Sequence, residues 1–483
     1  MQILVIQKII GALLILFSAT MILPMIVSMI YQDQHLVIFI QSFAIPLILG
    51  SLLYYPQRNN NHDLKLRDGF IIVALFWFTL SLFGALPFIF SESLNISFTD
   101  SVFESVSGIT TTGATVLTQI NELPHSILFY RNQLQWFGGL GIIVLAVAIL
   151  PLLGVGGMQL YKAETPGGFK ENKIAPRLTH TAKALWYIYL TITIACTLAY
   201  FFAGMSFFDA ICHAFSTVSI GGFSTYDESF AYFNSSTIEI IAIVFMLIAG
   251  INFSLHFLAW NRRTLRSYFE DSEVKGYLYF LGFACLFVSL SLGFTFGTEN
   301  LYQNVVNGIF QTVSFATTTG FSVTEIATWP DFLPMLLIIL SFIGGCAGST
   351  AGGMKVVRWL LVLKQGSREI KRLVHPHAQY SVKLGKKVID NKIIEAVWGF
   401  FSVYSIAFFV LIFLVMLSGV DYTTSFSMIA ATLNNLGPGL GEVINNYESV
   451  NDFNKWICVI SMILGRLEIF TLLVLISPTF WKA

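Results

Sequence analysis

The sequence predicts an all-α polytopic membrane protein: two extra N-terminal helices, then four fused helix–pore-loop–helix repeats around a central pore. Three observations predict it. Hydrophobic residues make up 55% of the chain and charged residues 11%, with a mean hydropathy of +0.73, whereas soluble domains carry about 25% charge. Apolar runs of about 20 residues recur throughout, long enough to cross a bilayer as helices and too long for barrel strands. A sixteen-residue pattern occurs four times without a gap, at Phe98–Gly113, Phe207–Gly222, Val305–Gly320 and Tyr422–Gly437.

The elements follow in order. Apolar stretches near 3–30 and 35–55 form the first two helices. The first is too long for the apolar core of a signal peptide, about 7–15 residues, and is read as a retained helix. After a polar loop, a unit of long helix, short segment and long helix repeats: 69–90, 99–112 and 131–153; 183–203, 207–221 and 237–260; 275–297, 304–319 and 332–363; 392–418, 422–436 and 455–477. The central segments, at about 1.5 Å per residue, are too short to span and must re-enter. The divisions are residues 1–68 for the N-terminal helices, 69–155, 156–260 and 261–363 for repeats one to three, and 364–483 for a basic linker with repeat four.

Lysine and arginine set the orientation. The loops at 56–68, 156–183, 261–275 and 364–392 hold most of them, and the alternate loops at 91–130, 204–236, 298–331 and 419–454 hold none. Ten spans would then place both termini in the cytoplasm, with the four short segments entering from outside. The outer loops are acidic, with Glu92, Asp100, Asp227, Glu325 and Glu442 among them, and would concentrate cations if they line a mouth.

The repeated segment suits a dehydrated cation. Asp100, Asp209, Asn307 and Thr424 share one column and read as N-caps of short helices whose negative dipole ends point to the membrane centre. A small polar strip and a glycine follow each one. Non-helical backbone at that depth is tolerated only where protein buries it or it lines a polar path. Glycine allows successive carbonyls to aim alike, and four strips about an axis make a ring of oxygen ligands. The assigned donors are the carbonyls of Thr111, Thr112, Ile220, Gly221, Thr318, Thr319, Asn435 and Leu436, before filter glycines Gly113, Gly222, Gly320 and Gly437. A single copy would read as helix packing; four aligned copies favour a pore.

Two features lie beyond the strips. Gly344-Gly-Cys-Ala-Gly-Ser-Thr-Ala-Gly-Gly353 interrupts the last helix of repeat three, and Gly344, Gly345, Gly348, Gly352 and Gly353 each weaken a helix by about 1 kcal/mol relative to alanine. The residues alone leave an unwound loop and a GxxxG packing stripe equally open. Arg466 sits mid-helix in an apolar stretch and must face protein or water. Glu468, two residues on, does not share its face. Arg466 reads either as repelling cations and holding the loop, or as half of a structural pair.

The chain resembles the Trk/Ktr/HKT superfamily of potassium transporters over nearly its whole length. The resemblance rests on Thr111-Thr-Gly-Ala, Gly221-Gly-Phe-Ser, Thr318-Thr-Gly-Phe-Ser and Asn434-Asn-Leu-Gly-Pro-Gly. The two N-terminal helices, the glycine run into Met354-Lys355 and Leu464-Gly-Arg-Leu-Glu-Ile-Phe470 are similar to its bacterial TrkH branch. It implies a channel-like translocating subunit of a bacterial uptake system in the inner membrane, potassium as the transported ion and no catalytic cofactor. It also implies that the glycine run and Arg466 form a gate, that the chain is a homodimer, and that the 364–392 linker docks a cytosolic TrkA-type nucleotide-binding ring. Ile220-Gly221 and Asn435-Leu436 depart from the threonine pairs of the other two strips.

Other classes find less support. An alternating-access symporter coupled to sodium or protons would be favoured by inverted repeats, and these share one orientation. No carboxylate pair, histidine–cysteine cluster or nucleophile–base spacing points to an enzyme, and nothing points to nucleic acid. The cysteines at 196, 212, 285, 346 and 458 are scattered apolar helix residues. Gly138-Gly-Leu-Gly141 and the later Gly154, Gly156 and Gly157 lack the strand–helix context of a phosphate loop. Asn252 and His256 read as packing residues, and the basic linker also suits anionic lipid.

Overall fold

A computed structural model of the chain describes residues 2–60, 66–144, 174–297, 301–385, 387–467 and 469–482. Residues 145–153 of the expected 131–153 helix, Gly154, Gly156, Gly157, Glu299, Lys386 and Glu468 lie outside the described residues. The architecture is helical, with one two-stranded hairpin pairing Lys383–Leu384 with Lys387–Val388 in the linker.

Six helical stretches among the described residues are long and apolar enough to cross a membrane: Ile3–Tyr31, Leu36–Gln57, Arg67–Phe90, Ala182–Phe202, Ser272–Phe296 and Asn391–Met416. The first two cross where Gly11 meets Gly50, and a methyl on either would lie 2.8 Å from the other's carbonyl oxygen. Small residues permit this close backbone approach in a bilayer. Large apolar side chains face outward, with Phe294 88% and Phe283 72% exposed, while Ser105, Thr110, Gln135, Thr317 and Asn434 are buried. That distribution is the reverse of a soluble protein's and fits a lipid surround.

The closing helices of the repeats depart from the straight spans expected from sequence. His125–Val144 of repeat one is continuous as far as it is described. In repeat two, Ser236–Ala249 and Phe253–Arg262 meet at 92°. Asn252 makes that corner by capping the second piece, its side chain accepting from the Ser254 N–H at 2.8 Å. In repeat three, Phe332–Ser341 stops and helix resumes only at Val356–Val374. In repeat four, Asp452–Arg466 and Ile469–Ile476 meet at 110°. Among the described residues, three of the four closing helices therefore break.

The four short helices are Phe98–Ile109, Phe207–Ser219, Leu301–Ala316 and Tyr422–Leu433, here called pore helices one to four. At 12 to 16 residues, or about 18–24 Å, none spans the roughly 30 Å hydrocarbon core. The caps of the first, second and fourth lie three residues before the column predicted. Ser97, Ser206 and Asp421 accept from the N–H groups of Asp100, Asp209 and Thr424, and Asp100 returns a bond to the Ser97 N–H in a capping box. Ser, Asp and Thr are all good cap residues, so composition alone does not say which of two such positions three apart is the cap. In the third copy the helix begins earlier and Asn307 lies inside it.

Candidate functional site

Each pore helix ends in the same way. The N–H groups of Thr111, Ile220, Thr318 and Asn435 bond back three residues, at 2.9, 3.2, 3.0 and 3.3 Å. Those of Thr112, Gly221, Thr319 and Leu436 bond back five, to Ser107, Ser216, Ser314 and Ala431, at 2.9, 2.8, 2.7 and 2.8 Å. This is the Schellman arrangement, which requires a left-handed residue at the helix exit. Thr111, Ile220, Thr318 and Asn435 supply it with φ of 52°, 56°, 70° and 56°. Two residues on, Gly113, Gly222, Gly320 and Gly437 are again left-handed at 84°, 83°, 83° and 96°. Only asparagine among the exit residues visits that region readily; for threonine and isoleucine it costs about 1–2 kcal/mol each, a strain typical of functional sites.

The four strips close on one another. A methyl placed on Gly113 would collide with the Gly221 carbonyl oxygen, one on Gly222 with that of Thr319, and one on Gly320 with that of Leu436. One on Gly437 would stand 2.7 Å from that of Thr112. The order runs from strip one to two, three, four and back to one, so the eight assigned residues and four glycines form one closed ring. Ile220-Gly221 and Asn435-Leu436 keep the backbone of the threonine pairs. Side chains add to the seam between the last and first strips: Asn435 donates to Thr112 Oγ1 and to the Met462 carbonyl, both at 3.0 Å. The Tyr447 N–H reaches the Thr115 carbonyl at 2.8 Å, and Lys455 pairs with Asp100 at 2.6 Å.

The glycine run and Arg466 pack against this ring. Residues 342–355 are non-helical, and Gly344, Gly348 and Gly353 are left-handed at 70°, 74° and 69°. The Gly352 N–H donates to Thr318 Oγ1 at 2.7 Å and the Gly353 N–H to the Asn434 carbonyl at 3.1 Å. Thr350 Oγ1 donates to the Val218 carbonyl at 3.0 Å. Gly345 is held against the corner of repeat two, where the Cys346 N–H bonds the Gly250 carbonyl at 2.9 Å. Arg466 is buried and donates through Nη2 to Thr111 Oγ1 and to the Thr350 carbonyl, 3.1 Å away. Loop and arginine together thus touch all four strips or their helices. Glu273 fastens the loop from the other side, accepting from the N–H groups of Ala347 at 2.7 Å and Val357 at 3.2 Å.

Several residues of this site escaped the sequence reading. Arg131, the first residue of the expected 131–153 helix, is fully buried and its Nε donates to Glu104 at 2.7 Å. Gln135 donates to the Gly221 carbonyl at 2.6 Å and accepts from the Phe223 N–H at 3.1 Å. Both sit on one face of His125–Val144, four residues apart, and that spacing was the available signal. Asn252 and His256 are satisfied packing residues as expected; His256 bonds Tyr268 at 2.8 Å and the Ile248 carbonyl at 3.0 Å.

The profile of the TrkH family, described as a cation transport protein, matches residues 35–298 and 295–482. The chain belongs to the TrkH family of cation transport proteins. The Trk system potassium uptake protein TrkH of Salmonella typhimurium is 54% identical over 481 residues, covering 99% of each chain. That of Halomonas elongata is 52% identical over the full length of both, and TrkG of Escherichia coli is 41% identical over 98% of this chain and 97% of its own. The crystal structure of the potassium transporter TrkH from Vibrio parahaemolyticus superposes with a TM-score of 0.93 at 50% identity, covering all of both chains. The TrkH-family assignment makes this a multi-pass membrane transport protein and not an enzyme.

Proposed function

We propose that the chain is the potassium-translocating subunit of a bacterial uptake system. The observation that carries this reading is the closed ring of four strips with one repeated left-handed backbone. Such a ring can present carbonyl oxygens in place of an ion's hydration shell. The carbonyls of Thr111, Thr112, Ile220, Gly221, Thr318, Thr319, Asn435 and Leu436 hold the ion. Residues 344–353 and Arg466 close the path beneath, through an arginine charge that repels cations in a low-dielectric setting. The names of the relatives support potassium as the cargo.

In this reading both termini are cytoplasmic, the membrane is the inner one, and the protein works as a homodimer. A cytosolic nucleotide-binding ring of TrkA type controls the gate through the helix Val356–Val374, which leaves the gating loop directly. That helix carries Lys364, Arg368, Lys371 and Arg372 and exposes Leu363, Ile370 and Leu373, a mixed basic and apolar surface suited to a protein partner.

The test is uptake by liposomes holding the purified protein, with potassium, rubidium and sodium compared. Uptake of potassium and rubidium well above sodium is expected. Equal uptake of all three, unaffected by changes at the four glycines, would rule out a selective ring.

A further inference from the structure

One column of the fourfold repeat does a job that the filter reading leaves unassigned. In pore helix one it holds Glu104, in two His213 and in three Gln311. Each side chain reaches the residue eleven positions on, just past its filter glycine. Thr115 Oγ1 donates to Glu104 Oε2 at 3.0 Å, His213 Nε2 lies 3.0 Å from Ser224 Oγ, and Gln311 Nε2 donates to Ser322 Oγ at 3.2 Å. Pore helix four has Met428 there, and Ser427 substitutes, exchanging bonds with the Leu440 N–H at 2.8 Å and its carbonyl at 3.1 Å.

Only the first of these pins carries a full charge, and it is linked across to the neighbouring strip. Glu104 also accepts from the Val116 N–H at 3.1 Å and from Arg131 Nε at 2.7 Å, with both side chains fully buried. Arg131 in turn reaches Thr115 Oγ1 at 3.1 Å in strip one and the Ser224 carbonyl at 3.4 Å in strip two. Its guanidinium lies 4.3 Å from the centre of the Phe223 ring. Thr115 and Ser224 are both the second residue after a filter glycine. One guanidinium therefore spans equivalent points of two adjacent strips.

We propose that Glu104 and Arg131 are positioning residues that fix the spacing of strips one and two, and with it the ion discrimination of the ring. The proposal rests on the filter reading above. Neither side chain touches the ion. A buried charge pair resists displacement because moving either partner leaves a charge uncompensated, so it holds its strips more rigidly than the neutral pins of the other repeats.

The experiment measures rubidium and sodium uptake by liposomes holding wild type, Glu104→Gln, Arg131→Gln, the double variant, and Gly113→Ala as a filter control. Glutamine at 104 keeps an acceptor for the Val116 N–H but not the charge. Each single variant should lower the rubidium-to-sodium ratio by about tenfold while uptake persists, and the double variant should fall no further than either single. A wild-type ratio in folded Glu104→Gln, alongside a reduced ratio in Gly113→Ala, overturns the proposal and leaves the filter reading standing. A wild-type ratio in Gly113→Ala removes the filter reading itself. Should the singles fail to fold, the double variant decides, since it buries no unpaired charge; a wild-type ratio there overturns the proposal. Additive losses overturn it as well, because independent residues do not form a couple.

Discussion

Replacing Gly113 with alanine tests the ring most directly. The residue sits at φ 84°, where an L side chain costs about 1–2 kcal/mol. The new methyl would overlap the Gly221 carbonyl oxygen and stand 3.3 Å from its carbon. That oxygen already accepts from Gln135 at 2.6 Å, so it cannot retreat without loosening a bond worth about 0.5–1.5 kcal/mol. The sum is about 1.5–3.5 kcal/mol, and at about 1.4 kcal/mol per decade the expected loss of rubidium-over-sodium discrimination is about tenfold to a few hundredfold. The assay is paired isotope uptake by liposomes, with thermal unfolding in detergent as the folding control. The four glycines should not respond equally. Gly437 leaves its added methyl the most room, 2.7 Å from the Thr112 oxygen, so Gly437→Ala should be the mildest. Gly282→Ala, on a helix with open space around it, should leave the ratio unchanged. A wild-type ratio in folded Gly113→Ala, or a loss in Gly282→Ala as large, would refute the reasoning.

Three further outcomes follow from the same geometry. Arg466→Gln removes the charge beneath the strips and weakens the bonds to Thr111 and Thr350; uptake without any partner should rise by about tenfold or more, and unchanged basal uptake would count against a gating role. Glu273→Gln, which weakens the hold on the Ala347 and Val357 N–H groups, should also raise basal uptake, by a smaller factor, with the ion ratio intact; a changed ratio would move Glu273 from gate to filter. Asn435→Ala deletes one side-chain bond across the closing seam and one to the Met462 carbonyl of its own repeat, and places alanine in a left-handed exit; a loss of about 2–4 kcal/mol in stability together with poorer discrimination is expected from denaturation and uptake measurements.

The fourfold arrangement was legible because the same polar strip and glycine recur at fixed spacing inside apolar units, and little but a shared local conformation explains that recurrence. Ile220-Gly221 and Asn435-Leu436 looked like departures because a sequence displays side chains, whereas the repeated feature is the backbone: all four exits share the same two helix-capping bonds. The cap column was displaced because Ser97 and Asp100 are interchangeable as cap residues on composition alone. The right-angle corner in repeat two left only Gly250-Ile251-Asn252 as a trace, in a run that stays apolar on both sides. Glu104, His213 and Gln311 lay inside the aligned pattern, yet their different chemistries hid a common task that depends on where the chain returns eleven residues later. The glycine run could not be resolved between packing and unwinding because both use the same residues; the non-helical backbone of 342–355 decides the conformation.

The seam between the last strip and the first has a consequence for how the protein is made. Strips one to three each pass to the next along the chain, but the ring is completed by contacts between residues 323 and 355 positions apart, Asn435 with Thr112 and Lys455 with Asp100. A nascent chain that has inserted three repeats holds an open arc whose carbonyls have no fourth side. If the ring is the ion path proposed above, coordination by all four strips is complete only once repeat four has joined the first three.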